Sequence, residues 1–118
     1  MEPITLMVNE LKDHGCEVLS NHDVKGLGNY CYIVVNPDGC EALMQYHPYG
    51  ELIELVFDSF SYISIDLHAL SWGFFKASSI KLKAKPDEKT DLNTVFYQVA
   101  DLYENYHTTK FKNIRKKV

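Results

Sequence analysis

Tyr30-Cys31-Tyr32-Ile33-Val34-Val35-Asn36-Pro37-Asp38-Gly39-Cys40 is the stretch that decides the fold. Residues 30–35 are apolar on both alternating faces, which is typical of a central β-strand covered on both sides. Residues 36–39 then favour a tight turn, because Pro37 supplies the first central φ of a type I turn and Gly39 accepts the left-handed position that follows. The stretch therefore predicts an antiparallel hairpin.

Strand patterns continue after this hairpin. A strand from residue 40 to 46 meets a second proline-to-glycine turn at 47–50, and residues 51–58 return from it. In residues 60–67, apolar side chains alternate with polar and aromatic ones, so one face is expected to be buried. Residues 80–84 alternate apolar residues with lysines and predict a further strand with one buried face. Residues 68–79 fit either a short helix or a loop.

Two helices are expected to flank these strands. Residues 3–14 carry apolar side chains at helical spacing, with Pro3 in the first turn and Gly15 as the stop. The second helix is capped by Thr90 or Asp91 and runs to about residue 107. Its apolar stripe consists of Leu92, Val95, Phe96, Val99, Leu102, Tyr103 and Tyr106.

The chain is thus expected to form one α+β domain over residues 1–109, followed by a basic C-terminal tail at 110–118. The domain consists of an antiparallel meander sheet of five to six strands, an N-terminal helix, and a C-terminal amphipathic helix packed on the sheet. A length of 118 residues suits a single hydrophobic core.

The N-terminus has no basic region before an apolar run, so no signal peptide is expected, and no apolar stretch approaches the roughly 18 residues of a membrane span. We therefore expect a cytoplasmic protein. Three cysteines, Cys16, Cys31 and Cys40, are an odd number, and reducing conditions favour free thiols.

Residues that could bind a metal are spread along the chain without the paired spacing that lets one element present two ligands: His14, Cys16, His22, Cys31, Cys40 and His47. No nucleophile-elbow sequence accompanies the thiols, and residues 25–29 lack the complete glycine pattern of a phosphate-binding loop. The sequence therefore predicts no metal site, no cofactor and no catalytic residue. It does not decide whether the protein is an enzyme, but it favours a binding protein.

One segment has a family resemblance. Residues 41–57, with Tyr46-His47-Pro48-Tyr49-Gly50 at their centre, resemble the Trp-Pro-Glu-Tyr-Gly hairpin of bacterial S-adenosylmethionine decarboxylases. The resemblance implies a small α/β enzyme that cleaves itself at a Glu-Ser bond to form a pyruvoyl group. The aligned pair here is Gly39-Cys40, which removes the reactive group, so no residue role is carried over.

Charge is distributed unevenly within the net value of −4: residues 1–75 hold two basic and eleven acidic side chains, whereas residues 76–118 hold ten and five. This split favours separate acidic and basic surfaces. Aromatic and acidic residues that suit a protein interface cluster in two predicted strands and a turn: Tyr46, Tyr49, Glu51, Glu54, Asp58, Phe60, Tyr62 and Asp66.

This composition favours a small inhibitor of the immunity or anti-defence type, which masks a basic protein that acts on nucleic acid. Direct nucleic-acid or membrane binding is not expected. A secretion chaperone or adaptor is the first alternative, and a small-molecule enzyme of the degenerate decarboxylase-like kind is the second. The basic tail could contact nucleic acid or an acidic partner, or only solubilise the terminus.

Overall fold

A computed structural model describes residues 2–20, 30–77 and 79–106 and has an α+β fold. In chain order the elements are α1 (Pro3–Asp13), β1 (Glu17–Leu19), β2 (Cys31–Val35), β3 (Glu41–His47), β4 (Leu52–Val56), β5 (Ser61–Asp66), β6 (Ser71–Lys76), β7 (Ser79–Ala84) and α2 (Leu92–Glu104). Neither helix in these ranges is long and apolar enough to span a membrane.

The seven strands form one antiparallel meander in which spatial order follows chain order. The prediction of an antiparallel sheet with an N-terminal and a C-terminal helix is confirmed, but the predicted number of five to six strands is too small. The strands without a predicted range are β1 and β6, and β6 lies in residues that fitted a short helix or a loop. Its apolar residues lie on both sides of the sheet, so they show no simple alternation, and Gly73 interrupts the strand pattern.

The turn between β2 and β3 has the expected local geometry. Gly39 adopts a φ of 86°, and the Asn36 side chain accepts a hydrogen bond from the Cys40 backbone nitrogen at 2.8 Å. The same amide donates to the Tyr103 carbonyl of α2 at 2.8 Å. The Tyr103 hydroxyl donates to the carbonyls of Val34 and Cys40 at 2.8 and 2.6 Å. The turn is therefore fixed both by its own residues and by α2.

Helix α1 ends in a Schellman turn. Gly15, with a φ of 85°, donates to the Lys12 carbonyl at 2.9 Å, and Cys16 donates to the Leu11 carbonyl at 3.0 Å. This confirms Gly15 as the stop of the helix and leaves His14 as its C-cap. At the start of α2, Asp91 is the cap, because its carboxylate accepts from the Thr94 backbone nitrogen at 2.8 Å.

The two helices run parallel. Pro3 and Leu92, their first residues, line one cleft, whereas His14 and Glu104, at their last turns, lie together at the other end. Both helices contribute to a single core with one face of the sheet, which we call the covered face. Its largest fully buried side chains from the helices and central strands include Tyr103, Phe96, Met7, Leu11, Met44, Ile53, Leu55, Ile63 and Ile65.

Two strand predictions need correction. β2 lies next to the edge strand β1, and Val34 is its only fully buried residue among those described, so it is not covered on both sides. Strand β7 forms the other edge, where Ile80 and Leu82 are 56% and 45% exposed instead of buried. A bulge opposite Phe74 and Phe75 also places Ile80 and Leu82 on opposite faces. The predicted tail at 110–118 lies outside the described residues.

Candidate functional site

The second face of the sheet, which we call the open face, consists of the residues that alternate with the buried ones. In β2, for example, Val34 is fully buried, while Ile33 and Val35 on the other side are partly exposed. No helix of the described residues packs on this face, since α1 and α2 both belong to the core of the covered face. Among the described residues, the open face is therefore not covered by a helix.

An apolar band crosses the entire open face. Directly paired residues of an antiparallel sheet share a face, and one such row contains an apolar side chain from every strand. This apolar band consists of Leu19, Ile33, Leu43, Val56, Tyr62, Phe75 and Ile80. Its members are partly exposed except Ile80, which is exposed. With a strand spacing of about 4.8 Å, the band extends for about 29 Å.

A second row runs beside the first through strands β2–β7, two residues away in β2–β6 and three residues away in β7 because of its bulge. This polar band consists of Cys31, Gln45, Glu54, Ser64, Gly73 and Lys83. Gly73 leaves room for the neighbouring aromatic ring, because a Cβ at this position would lie 2.9 Å from Cε2 of Phe75. The Phe75 ring also stacks on Tyr62, with centroids 5.0 Å apart and planes 16° apart. The two bands are thus in contact through Phe75.

Charge follows the order of the strands. Strands β1–β5 contain four carboxylates and no lysine or arginine: Glu17, Glu41, Glu54 and Asp66. Strands β6 and β7 contain three lysines and no carboxylate: Lys76, Lys81 and Lys83. The uneven charge along the sequence therefore corresponds to an acidic side of the sheet, β1–β5, and a basic side, β6 and β7. All four carboxylates are on the open face, as their pairing partners place them there.

Of the eight residues predicted to bind a partner, three lie on the open face: Glu54, Tyr62 and Asp66. Glu54 is paired with His47, whose Nε2 lies 3.2 Å from a carboxylate oxygen. The Asp66 carboxylate accepts from the backbone nitrogens of His68 and Ala69 at 3.0 and 2.9 Å. Asp66 therefore has a structural role in its turn, in addition to any role in binding.

Four predicted residues lie in turns at opposite ends of the sheet. Tyr49 and Glu51 belong to the β3–β4 turn, where Glu51, not Gly50, adopts the left-handed φ of 50°. Asp58 and Phe60 belong to the β4–β5 turn, and Asp58 accepts from the Phe60 backbone nitrogen at 2.7 Å. The whole length of β4 separates the two turns. The structure therefore does not bring all eight residues into one patch.

Tyr46 lies on the covered face, paired with the fully buried Ile53. Together with Glu51 and His68 it lines an open cleft of about 380 Å³, whose apolar walls include Pro3 and Leu92. Nδ1 of His68 lies 3.4 Å from a carboxylate oxygen of Glu51. An imidazole beside a carboxylate at an apolar cleft can carry out acid–base chemistry, although both groups are largely exposed.

The residues singled out for metal binding are dispersed. Cys31 and His47 lie on the open face, Cys40 lies in the β2–β3 turn, and His22 is outside the described residues. Cys16 is buried, and this burial, followed by the charge of Glu104, raises the pKa of its thiol from 9.0 to about 11. Unlike these residues, His14 lies beside two other possible metal ligands, Asp101 and Glu104 of α2, which were not among the ligands predicted from the sequence.

The sequence analysis also missed most of the apolar band, in particular Ile33, Leu43, Val56 and Phe75. Ile33, Leu43 and Val56 were interpreted as ordinary strand residues, because a partly covered apolar side chain and a core side chain have the same local pattern, and Phe75 was placed in a short helix or a loop. The only available signal was strand register, which aligns these residues across the sheet.

Comparisons with models of protein families, with curated proteins and with solved structures gave no match to this chain. The resemblance of residues 41–57 to the decarboxylase hairpin therefore rests on that segment alone.

Proposed function

We propose that the protein is a small inhibitor that binds a folded, basic, nucleic-acid-acting protein through its open face. The observation that carries the proposal is the apolar band, which crosses all seven strands next to an acidic sheet surface. A contiguous apolar surface with a polar surround is typical of protein interfaces. Tyr62 and Phe75, on the neighbouring strands β5 and β6, are the rigid aromatic anchors that interfaces use.

The basic character of the partner follows from the charges of the sheet. Four carboxylates and no lysine or arginine in β1–β5 attract a basic surface and accelerate its association at low salt. Proteins that act on nucleic acid have such surfaces, because they bind a polyanion. Lys83, which pairs with Gly73 on the open face, lies toward the other edge and fixes the orientation of the partner.

The dimensions favour a folded partner over an extended segment. The face measures about 29 Å across the strands and about 20 Å along them, close to the contribution that one partner makes to a standard interface. An extended segment would instead add to an edge strand by backbone hydrogen bonds. Binding of such a segment at β7 is what the secretion-chaperone alternative requires.

The proposal is tested by capture followed by kinetics on the purified partner. The wild-type protein and a Val56→Lys variant serve as baits in an extract of the source cells. Because Val56 is partly exposed in the middle of the apolar band, the lysine disrupts the band without entering the core. A basic nuclease retained by the wild type and not by Val56→Lys, whose activity falls with stoichiometric addition of the wild type, supports the proposal.

Charge is tested with a matched pair of double variants that change the net charge equally. Glu41→Lys/Glu54→Lys alters the open face, whereas Asp13→Lys/Glu88→Lys alters exposed positions elsewhere. We expect the first to slow association with the captured nuclease at least about tenfold at low salt and the second to have little effect. Equal association rates for the two double variants would show that the carboxylates of the open face do not contribute to recognition of the nuclease. Capture only of unfolded export substrates would favour the chaperone alternative and overturn the proposal.

A further inference from the structure

The C-terminal ends of the two helices bring together one imidazole and two carboxylates from distant parts of the sequence. Possible donor atoms of His14, Asp101 and Glu104 all lie within 4.8 Å of one another. Asp101 and Glu104 are three residues apart in the last turns of α2, so both project from the same side of that helix. His14 is the C-cap of α1. The cluster lies away from the open face.

The position of His14 is determined by its backbone. The Schellman turn places Gly15 and Cys16 after it and fixes the direction in which the imidazole leaves α1. The ring packs edge-on against Tyr97 of α2, with centroids 5.0 Å apart. Its side chain is only 9% exposed. An imidazole at this depth is held in one orientation toward the second helix.

The hydrogen bond on the other side of the ring selects the tautomer. Nδ1 of His14 lies 2.9 Å from the Glu10 carbonyl oxygen, which can only accept, so Nδ1 donates and the lone pair of the neutral imidazole is on Nε2. Among the described residues, Nε2 has no hydrogen-bond partner. A backbone carbonyl that binds one ring nitrogen while the other is left to accept is the arrangement found behind metal-ligating histidines.

The electrostatics of the cluster also favour a cation. Both helices direct the negative end of their dipole at it, and Asp101 and Glu104 add two carboxylates at the end of α2 where negative charge is unfavourable. Lys12 is the basic residue in the last turn of α1, and α2 has none in its last turn. In the described part of the chain, no lysine forms an ion pair with either carboxylate.

We propose that His14, Asp101 and Glu104 form a binding site for a divalent transition-metal ion of the zinc type, which joins the ends of α1 and α2. One imidazole nitrogen and two carboxylate oxygens are a ligand set for such ions, with the remaining position open to water. Donor atoms around a tetrahedral zinc are about 3.4 Å apart, given metal–ligand distances of about 2.1 Å. The donor atoms, which lie within 4.8 Å of one another, must approach by at most about 1.4 Å to reach this geometry.

No metal site was expected from the sequence, because that expectation rested on finding two ligands on one element. The proposed site instead combines ligands from two helices, and His14 and Asp101 are 87 residues apart in the chain. The imidazole argues for a transition ion over Ca²⁺ or Mg²⁺, which prefer sites made of oxygen alone. The metal site lies away from the open face, so metal binding and the proposed inhibitor function can be tested separately.

The test uses tag-free full-length protein freed of metal by EDTA and titrated calorimetrically with ZnCl₂, with CaCl₂ as comparison. The Asp101→Asn/Glu104→Gln variant removes both carboxylates while keeping side-chain size, and Asp38→Asn/Glu88→Gln removes two exposed carboxylates elsewhere. We expect the first variant to bind zinc at least about tenfold more weakly and the second to match the wild type. Zinc at 100 times its Kd should raise the wild-type Tm by about 5 °C or more.

Imidazole NMR resonances provide a readout that does not depend on stability. Zinc should shift the Nε2 signal of His14 in the wild type, whereas His68, whose side chain is 87% exposed, serves as the internal control. A His14→Ala variant should lose zinc affinity, and a His68→Ala variant should retain it. Equal zinc affinity in the carboxylate variant and its control, an unshifted His14, or equal affinity for Ca²⁺ and Zn²⁺ would overturn the proposal.

Discussion

The covered and open faces of the sheet are built from alternate residues of the same strands, yet they differ in how apolar side chains are arranged. On the covered face, fully buried residues such as Met44, Leu55 and Ile63 fill the space beneath two helices. On the open face, one row is apolar in every strand and the row beside it is mainly polar, while Val35 and Leu52 are further apolar residues outside these two rows. Apolar content alone therefore does not make a core, since a core also requires an element that packs on it.

The largest expected effect tests whether α2 is essential to the covered face. Phe96 is 1% exposed, and Phe96→Ala should lower the free energy of unfolding by about 3–5 kcal/mol because it leaves a cavity under the helix. Phe60→Ala is the matched control, since Phe60 is 69% exposed in the β4–β5 turn and should change stability by less than about 1 kcal/mol. Urea titration followed by circular dichroism measures both. Similar losses would mean that α2 is not packed as described.

Two adjacent valines of β2 test directly whether the covered and open faces differ in burial. Val34 lies on the covered face and is fully buried, whereas Val35 lies on the open face. Val34→Thr places a hydroxyl in the core and should lower the free energy of unfolding by about 1–3 kcal/mol. Val35→Thr keeps the hydroxyl near water and should change it by less than about 1 kcal/mol. If denaturant titrations gave the same loss for both, the two faces would be equally covered.

The smallest expected effect concerns the contact between the two bands of the open face. Gly73→Ala introduces a Cβ against the Phe75 ring and should shift the aromatic NMR signals of its stacking partner Tyr62. Stability should fall by at most about 1 kcal/mol, because the displaced ring lies on a partly exposed surface and alanine is less costly than glycine in a strand. Ser64→Ala, directly paired with Gly73, is the control and should leave the Tyr62 signals in place.

Much of the local structure was predictable, because short-range chemistry determines it. Pro3 and Gly15 mark the first helix as the structure has it, and Gly39 adopts the left-handed conformation that its turn requires. The apolar stripe of α2 also lies where its helical spacing places it. Strand β6 was not predictable in the same way, because Trp72 and Phe74 face the helices while Phe75 faces the other side.

The candidate sites were less predictable than the fold. Three of the eight selected residues lie on the open face, because Glu54, Tyr62 and Asp66 alternate with buried neighbours in half-buried strands. By the same alternation, Tyr46 lies on the covered face, and turn residues such as Tyr49 and Phe60 lie at the two ends of the sheet. A cluster in sequence becomes a cluster in space only when the register brings its members to one face.

By itself, the sequence determined where both helices begin, where α1 ends, where the chain reverses, and that the product is an antiparallel sheet with two helices, because propensity, capping and periodicity act over a few residues. Only the tertiary structure decided which face of that sheet the helices cover and which residues line up in the apolar band. It also decided that His14 meets Asp101 and Glu104. These features depend on strand register and helix packing between residues far apart in the chain, which no local pattern encodes.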